Sequence, residues 1–150
     1  MPAPRPRRDQ FPHLRPMTTR WRDNDVYGHM NNVVYYEYFD TAVNHWMIER
    51  GALEIPHGPF IALVAETRCA FMASLGFPDM VTAGLRAARI GRSSVTYDIA
   101  LFRNDEDEAC AAGAFVHVVV DAASRRPSPL PDTLRAALDE LVTPQTVLAV

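Results

Sequence analysis

The sequence predicts an α+β fold in which one buried helix packs on one mostly antiparallel sheet. Three observations carry this reading. The segment Val33–Arg50 runs without Pro or Gly, and its apolar residues fall at helical spacing. Four strand-like segments follow it in succession. Turn signals separate those segments at the short intervals that hairpins need.

In chain order, residues 1–16 (MPAPRPRRDQFPHLRP) are rich in Pro and Arg, and read as a mobile tail whose arginines could meet an acidic partner. The domain spans 17–150. Met17–Arg22 reads as a short strand. Asn31 or Asn32 supplies a helix N-cap, because its side-chain oxygen can accept an otherwise unpaired amide. In the helix that follows, Tyr35, Phe39, Ala42 and Trp46 share one face, and Tyr36, Val43 and Met47 widen it. A helix apolar over so much of its surface is buried on several sides. Arg50-Gly51 stops it. Strands are expected over Phe60–Phe71, Met80–Ile90, Ser93–Phe102 and Cys110–Asp121. Gly91-Arg92 and the acidic run Asn104–Glu108 sit at hairpin tips. After a proline-rich break, Asp132–Leu141 forms a short terminal helix with Leu134, Leu138 and Leu141 on one side. Five strands curled round one helix leave a sheet face and edges that need cover, which a homodimer or homotetramer would provide.

Composition narrows the chemistry. The chain has 150 residues, 48% of them apolar, and a net charge of −3, with no nucleic-acid footprint. All 15 basic residues are arginine. That excludes a Schiff-base lysine and a Walker A lysine. Cys69 and Cys110 lack C-x-x-C spacing and suit a reduced, cytoplasmic setting. No apolar run reaches membrane-spanning length, and the N-terminus has no secretory h-region, so no membrane partner is expected.

The densest polar cluster is RWRDNDVYGHMNN, Arg20–Asn32, directly before the helix. Asp23, Asp25 and Gly28 imitate the start of a calcium loop. However, Tyr27 and Val34 stand where two ligands should be. His29, His45, His57 and His117 show no zinc spacing, so no metal is expected. There is no G-x-S-x-G turn, no partnered cysteine and no G-x-G-x-x-G. What remains is Asp25 beside a helix N-terminus. Its unpaired amides and dipole make an anion site, and a carboxylate there can serve acyl transfer as base or nucleophile. The same residues also suit a plain helix cap.

The segment D-x-x-G-H-x-N-N followed by an aromatic-rich helix resembles the signature of hotdog-fold acyl-CoA thioesterases of the 4-hydroxybenzoyl-CoA thioesterase type. It also resembles a D-x-x-x-H-x-N-N segment of plant acyl-ACP thioesterases. The resemblance runs over Met17–Leu141 and includes LRAARIGRSSVTYDIALF and AFVHVVVDAASRRPSPLP. It implies a five-stranded antiparallel sheet wrapped round one long central helix, plus a short C-terminal helix. It implies hydrolysis of an acyl- or aroyl-CoA without metal or redox cofactor, coenzyme A entering only as part of the substrate.

By the resemblance, Asp25 is the catalytic carboxylate and the amides near Asn31 and Asn32 are the oxyanion donors. His29 matches a histidine of the plant enzymes, while Tyr27 departs from their asparagine. Tyr27, Gly28 and Tyr35 fall at the substrate site, with Tyr36 and Phe39 near an acyl pocket at a dimer interface. Glu66 is a candidate second carboxylate. Arg89 and Arg92 at one hairpin, and Arg125-Arg126 at another, are candidates for the phosphates of coenzyme A. Asp23 is left as scaffolding. The alternatives are a non-catalytic acyl-CoA-binding hotdog protein and a hotdog enoyl-CoA hydratase, although the latter's wider Asp–His spacing is not seen here.

Overall fold

The computed structural model describes residues 3–149. Its elements are β1 (His13–Thr18), α1 (Asn32–Glu49), β2 (Phe60–Phe71), β3 (Met80–Ile90), β4 (Ser94–Arg103), β5 (Ala111–Asp121), α2 (Asp132–Ala137) and β6 (Val147–Leu148). The sheet order is β1-β3-β4-β5-β2, antiparallel throughout, with β6 lying parallel to the end of β3. This is the hotdog architecture: one long helix held against a curved antiparallel sheet. The strand β6 adds a sixth member to the five expected. It pairs Val147 and Leu148 with Arg89 and Ile90, beyond the reach of β1 on the same edge.

The core forms where α1 meets the sheet. Phe39, Val43, Trp46 and Met47 of α1 are essentially inaccessible, as are Leu85, Tyr97, Ile99 and Leu101 of the sheet. Tyr38 belongs to this buried set as well, whereas Tyr36 is only half-buried. Trp46 meets Tyr97 edge to face at 6.2 Å, which marks the sheet face that carries Tyr97 as the inner one. α2 gives way to a 3₁₀ turn over Leu138–Leu141 rather than continuing as an α-helix. It still buries Leu134, Leu138 and Leu141.

The N-terminal segment is not a free arm. His13–Pro16, expected in the tail, form most of β1, which starts four residues before the expected strand. Trp21 and Arg22, expected to end that strand, lie instead in a 3₁₀ turn over Trp21–Asp23. Further upstream, Phe11 is buried against Phe102, with ring centroids 5.9 Å apart. The acidic partner for the tail arginines is the chain's own β4–β5 turn. Arg5 lies 3.9 Å from Glu108, Arg7 lies 3.8 Å from Asp107, and Arg8 donates to the carbonyls of Asn104 and Glu106. Exposed pairs of this kind contribute little each. The buried Phe11 ring and the backbone bonds Arg8 N–H to Asp107 O and Ala109 N–H to Pro6 O anchor the segment.

Two edges remain. β1 and β6 occupy one. β2 forms the other, pairs only with β5, and leaves Leu63, Val64 and Phe71 between 41% and 49% exposed. Among the described residues, no helix is long and apolar enough to cross a membrane.

Candidate active site

The polar cluster folds into a tight turn ahead of α1. Asp25 N–H donates to His29 O at 3.0 Å and Gly28 N–H donates back to Asp25 O at 3.1 Å. Gly28 has φ +83°, a left-handed conformation that glycine adopts without Cβ strain. Asn24 and Met30 bridge across the base of the turn. The turn is tied to the β2–β3 connection by Met30 N–H to Leu75 O (2.8 Å) and Phe77 N–H to Asn24 Oδ1 (3.0 Å). Backbone bonds on both sides thus fix the direction of the Asp25 side chain.

Asp25 is half-buried. Its Oδ1 accepts the Tyr27 amide at 2.8 Å, and its Oδ2 lies 3.5 Å from Asn31 Nδ2. Asn31 is the N-cap, and its Oδ1 accepts the Val33 amide at 3.0 Å. The Asn31 N–H is already committed to Asp23 O at 2.9 Å, so it is not a free donor. Val34 N–H donates to Asn31 O at 2.9 Å. The Asn32 amide is left without an acceptor among the described residues, next in the chain to the residue that steadies Asp25. The expected pair of amides therefore reduces to one backbone donor, with Asn31 acting through its side chain.

These groups border an open cleft of about 570 Å³ lined by Asp25, Tyr27, His29, Asn31, Asn32 and Tyr35, with Met30, Phe71, Ala73 and Ser74. Gly28 shapes the turn but does not line the cleft. Tyr35 is buried, burial raises the pKa of its phenol, and it meets Phe71 edge to face at 4.9 Å. Phe71, Ala73 and Ser74 come from the end of β2 and the chain beyond it. No local pattern marked them, because they meet the turn only through tertiary contacts such as Met30 N–H to Leu75 O.

Behind the turn, Asp23 is the most deeply buried carboxylate, at 1% exposure. It accepts Tyr38 Oη at 2.6 Å, Arg20 N–H at 2.9 Å and Arg20 Nε at 3.1 Å. Burial works against the charge, but these hydrogen bonds outweigh it and hold the carboxyl below its ordinary pKa.

Other expected residues lie elsewhere. Glu66 pairs across to Val116 and sits 3.4 Å from Arg68. The register shifts between Val64 and Glu66, so Val64 pairs with His117 of the inner face while Glu66 joins the outer face. One extra residue in a strand reverses the alternation, and here it turns the carboxylate away from α1. Arg89 and Arg92 stand at the far end of β3, an 11-residue strand that spans about 33 Å. Arg125 and Arg126 share that distant end, beyond β5. Within one protomer none of these meets Asp25. Among the described residues, no three of His, Cys, Asp and Glu gather as a metal-binding group.

The same architecture is found in known proteins. The PA5185 protein of Pseudomonas aeruginosa strain PAO1 is 52% identical, over 94% of this chain and 99% of that one, with a TM-score of 0.91. PA2801 of P. aeruginosa, described as a candidate thioesterase, is 30% identical over 86% of this chain and 99% of its own, with a TM-score of 0.78. Slr0204, a 1,4-dihydroxy-2-naphthoyl-CoA thioesterase of Synechocystis, shares 18% identity and the fold, with a TM-score of 0.77 over 87% of this chain and 98% of that one. A family model for the thioesterase-like superfamily matches residues 19–138, which take in the whole polar turn, α1 and the sheet from β2 to β5. With that match and the hotdog architecture in agreement, the chain belongs to the thioesterase-like superfamily and is a thioester hydrolase of the 4-hydroxybenzoyl-CoA thioesterase-like kind.

Proposed function

We propose that this protein hydrolyses an acyl- or aroyl-CoA to the free acid and coenzyme A at the Asp25 cleft. The observation that carries this reading is a half-buried carboxylate on the cleft wall beside an uncommitted helix N-terminal amide. The thioester carbonyl carbon is attacked either by water that Asp25 deprotonates or by Asp25 itself. Negative charge then gathers on the carbonyl oxygen. The Asn32 N–H, aided by the N-terminal end of the α1 dipole, stabilises it there. Collapse of that intermediate breaks the C–S bond and releases the CoA thiolate. The water route leaves the free acid directly, whereas the nucleophilic route leaves an acyl anhydride on Asp25 that a water then hydrolyses to the free acid and the regenerated carboxylate. The Tyr27 amide and Asn31 Nδ2 hold the carboxylate in one orientation throughout. His29 lines the cleft and has no assigned step.

The unpaired β2 edge, with Leu63, Val64 and Phe71 exposed, supports pairing with a second copy. Two β2 strands running antiparallel across a two-fold axis would bring the far end of the second sheet to this cleft. The Arg89–Arg92 turn of that copy would then serve the CoA phosphates, which the same turn cannot do within its own protomer.

Purified protein is expected to release free thiol from at least one member of a panel of short, long and aromatic acyl-CoAs. Absence of turnover across the panel, with tight acyl-CoA binding or crotonyl-CoA hydration instead, would reject the hydrolase mechanism. Light scattering is expected to give a dimer or a multiple of it. Leu63→Glu with Val64→Glu should shift it to monomer and raise KM. A wild-type monomer with full activity would refute the edge-pairing model.

A further inference from the structure

The buried Asp23 carboxylate, outside the cleft, is linked to it by a continuous set of bonds. Tyr38 reaches it from α1, and Arg20 reaches it from the chain entering the turn. Asp23's own carbonyl takes the Asn31 N–H at 2.9 Å. Asn31 in turn caps Val33 and approaches Asp25 with its Nδ2. The single proton of Tyr38 Oη faces two acceptors, Asp23 Oδ2 at 2.6 Å and Thr18 O at 3.1 Å. The charged and nearer oxygen takes it. The Arg20 guanidinium also sits over the Tyr38 ring, 5.8 Å from its centroid, which closes the set on itself.

A mere helix cap would require none of this, since Asn31 already caps α1. What the Asp23 set adds is control over where Asn31 stands. If Asn31 shifts, the Asn32 amide and the donor to Asp25 move with it.

Resting on the hydrolase reading above, we infer that Asp23, clamped by Tyr38 and Arg20, is a positioning residue for the reaction. It sets Asn31 so that Asp25 and the Asn32 amide address one carbonyl group. Displacements of about 1 Å in such a site cost roughly 100-fold in rate. The loss falls on the transition state rather than on substrate binding.

The test is a kinetic double-mutant cycle between positions 23 and 25. Asp23→Ala is expected to lower kcat about 100-fold with KM within about threefold. In an Asp25→Asn background the same change should cost far less than 100-fold, because only the Asn32 amide is then left to position. Tyr38→Phe removes only one hydroxyl and keeps the packing. It should lower kcat about tenfold, and it serves if Asp23→Ala does not fold. Losses that multiply across the cycle, or a rise in KM with kcat intact, would show that Asp23 only supports the fold. If Tyr38→Phe leaves kcat unchanged, the clamp plays no part in positioning. Failure of the wild type to hydrolyse any thioester would instead overturn the hydrolase reading itself.

Discussion

Asp25→Asn is expected to lower kcat for thioester hydrolysis by about 10³-fold while leaving the fold intact. A positioned general base contributes between about 10² and 10⁴ in rate, and a nucleophile contributes at least as much. Asparagine keeps the shape of the side chain. Its Oδ1 can still accept the Tyr27 amide, so the turn that Gly28 and His29 close is retained. The residue is half-buried and lies outside the hydrophobic core, so the urea midpoint should match that of the wild type. Steady-state kinetics with the best acyl-CoA of the panel measure the rate, and a urea titration followed by circular dichroism measures the fold. Activity within tenfold of wild type would remove Asp25 from the chemistry. The helix N-terminus would then be left as the sole catalytic device.

Acidification should destabilise the protein through His117. This side chain is 3% exposed on the inner sheet face, wedged between the rings of Tyr97 and Phe115 at 5.9 and 4.8 Å. Its Nδ1 has no hydrogen-bond partner among the described residues, nor does the Tyr97 hydroxyl beside it. Burial with no compensating charge pushes its pKa down from 6.5 to about 4. Between those values the unfolded chain binds a proton that the folded chain refuses. Stability is therefore complete above pH 6.5 and falls as the pH drops towards 4, by about 3 kcal/mol in all. His117→Leu removes both the titration and the unpaired nitrogen. It should be at least as stable as wild type at pH 7 and should lose much of the acid slope between pH 6.5 and 4.5. His13, whose pKa burial also lowers, keeps a smaller slope of the same sign. Urea midpoints measured at several pH values decide the matter, and an unchanged slope in the variant would exclude His117 as the source.

Much of the architecture was legible along the chain. The ends of β2 and β3 coincide with the apolar runs Phe60–Phe71 and Met80–Ile90, because hairpin strands are bounded by local turn chemistry. α1 begins where Asn31 caps it, one residue ahead of the expected start, since capping depends on the next two or three amides alone. The N-terminal segment departs from expectation for the opposite reason. Proline and arginine suggest disorder when read singly. Its order rests on Phe11 meeting Phe102 and on arginines meeting an acidic turn about a hundred residues later. The strand β6 is two residues long and exposed, too short to show any periodicity.

The sequence by itself determined the α+β class, the long buried helix and the polar turn that places Asp25 at that helix's start. Each follows from contacts within a few residues. Tertiary structure decided what Asp25 faces. The end of β2 and the chain beyond it, tied to the turn by Met30 N–H to Leu75 O, brought Phe71, Ala73 and Ser74 to the cleft. A single-residue bulge turned Glu66 to the outer face, and the length of β3 carried Arg89 and Arg92 to the far end of the protomer. The backbone carbonyl of Asp23 then took the Asn31 N–H and left Asn32 as the free donor. Local propensity is blind to the face of Glu66 and to the lining that β2 brings, because these depend on contacts between segments distant in the chain, where a shift of one residue reverses which face a side chain occupies.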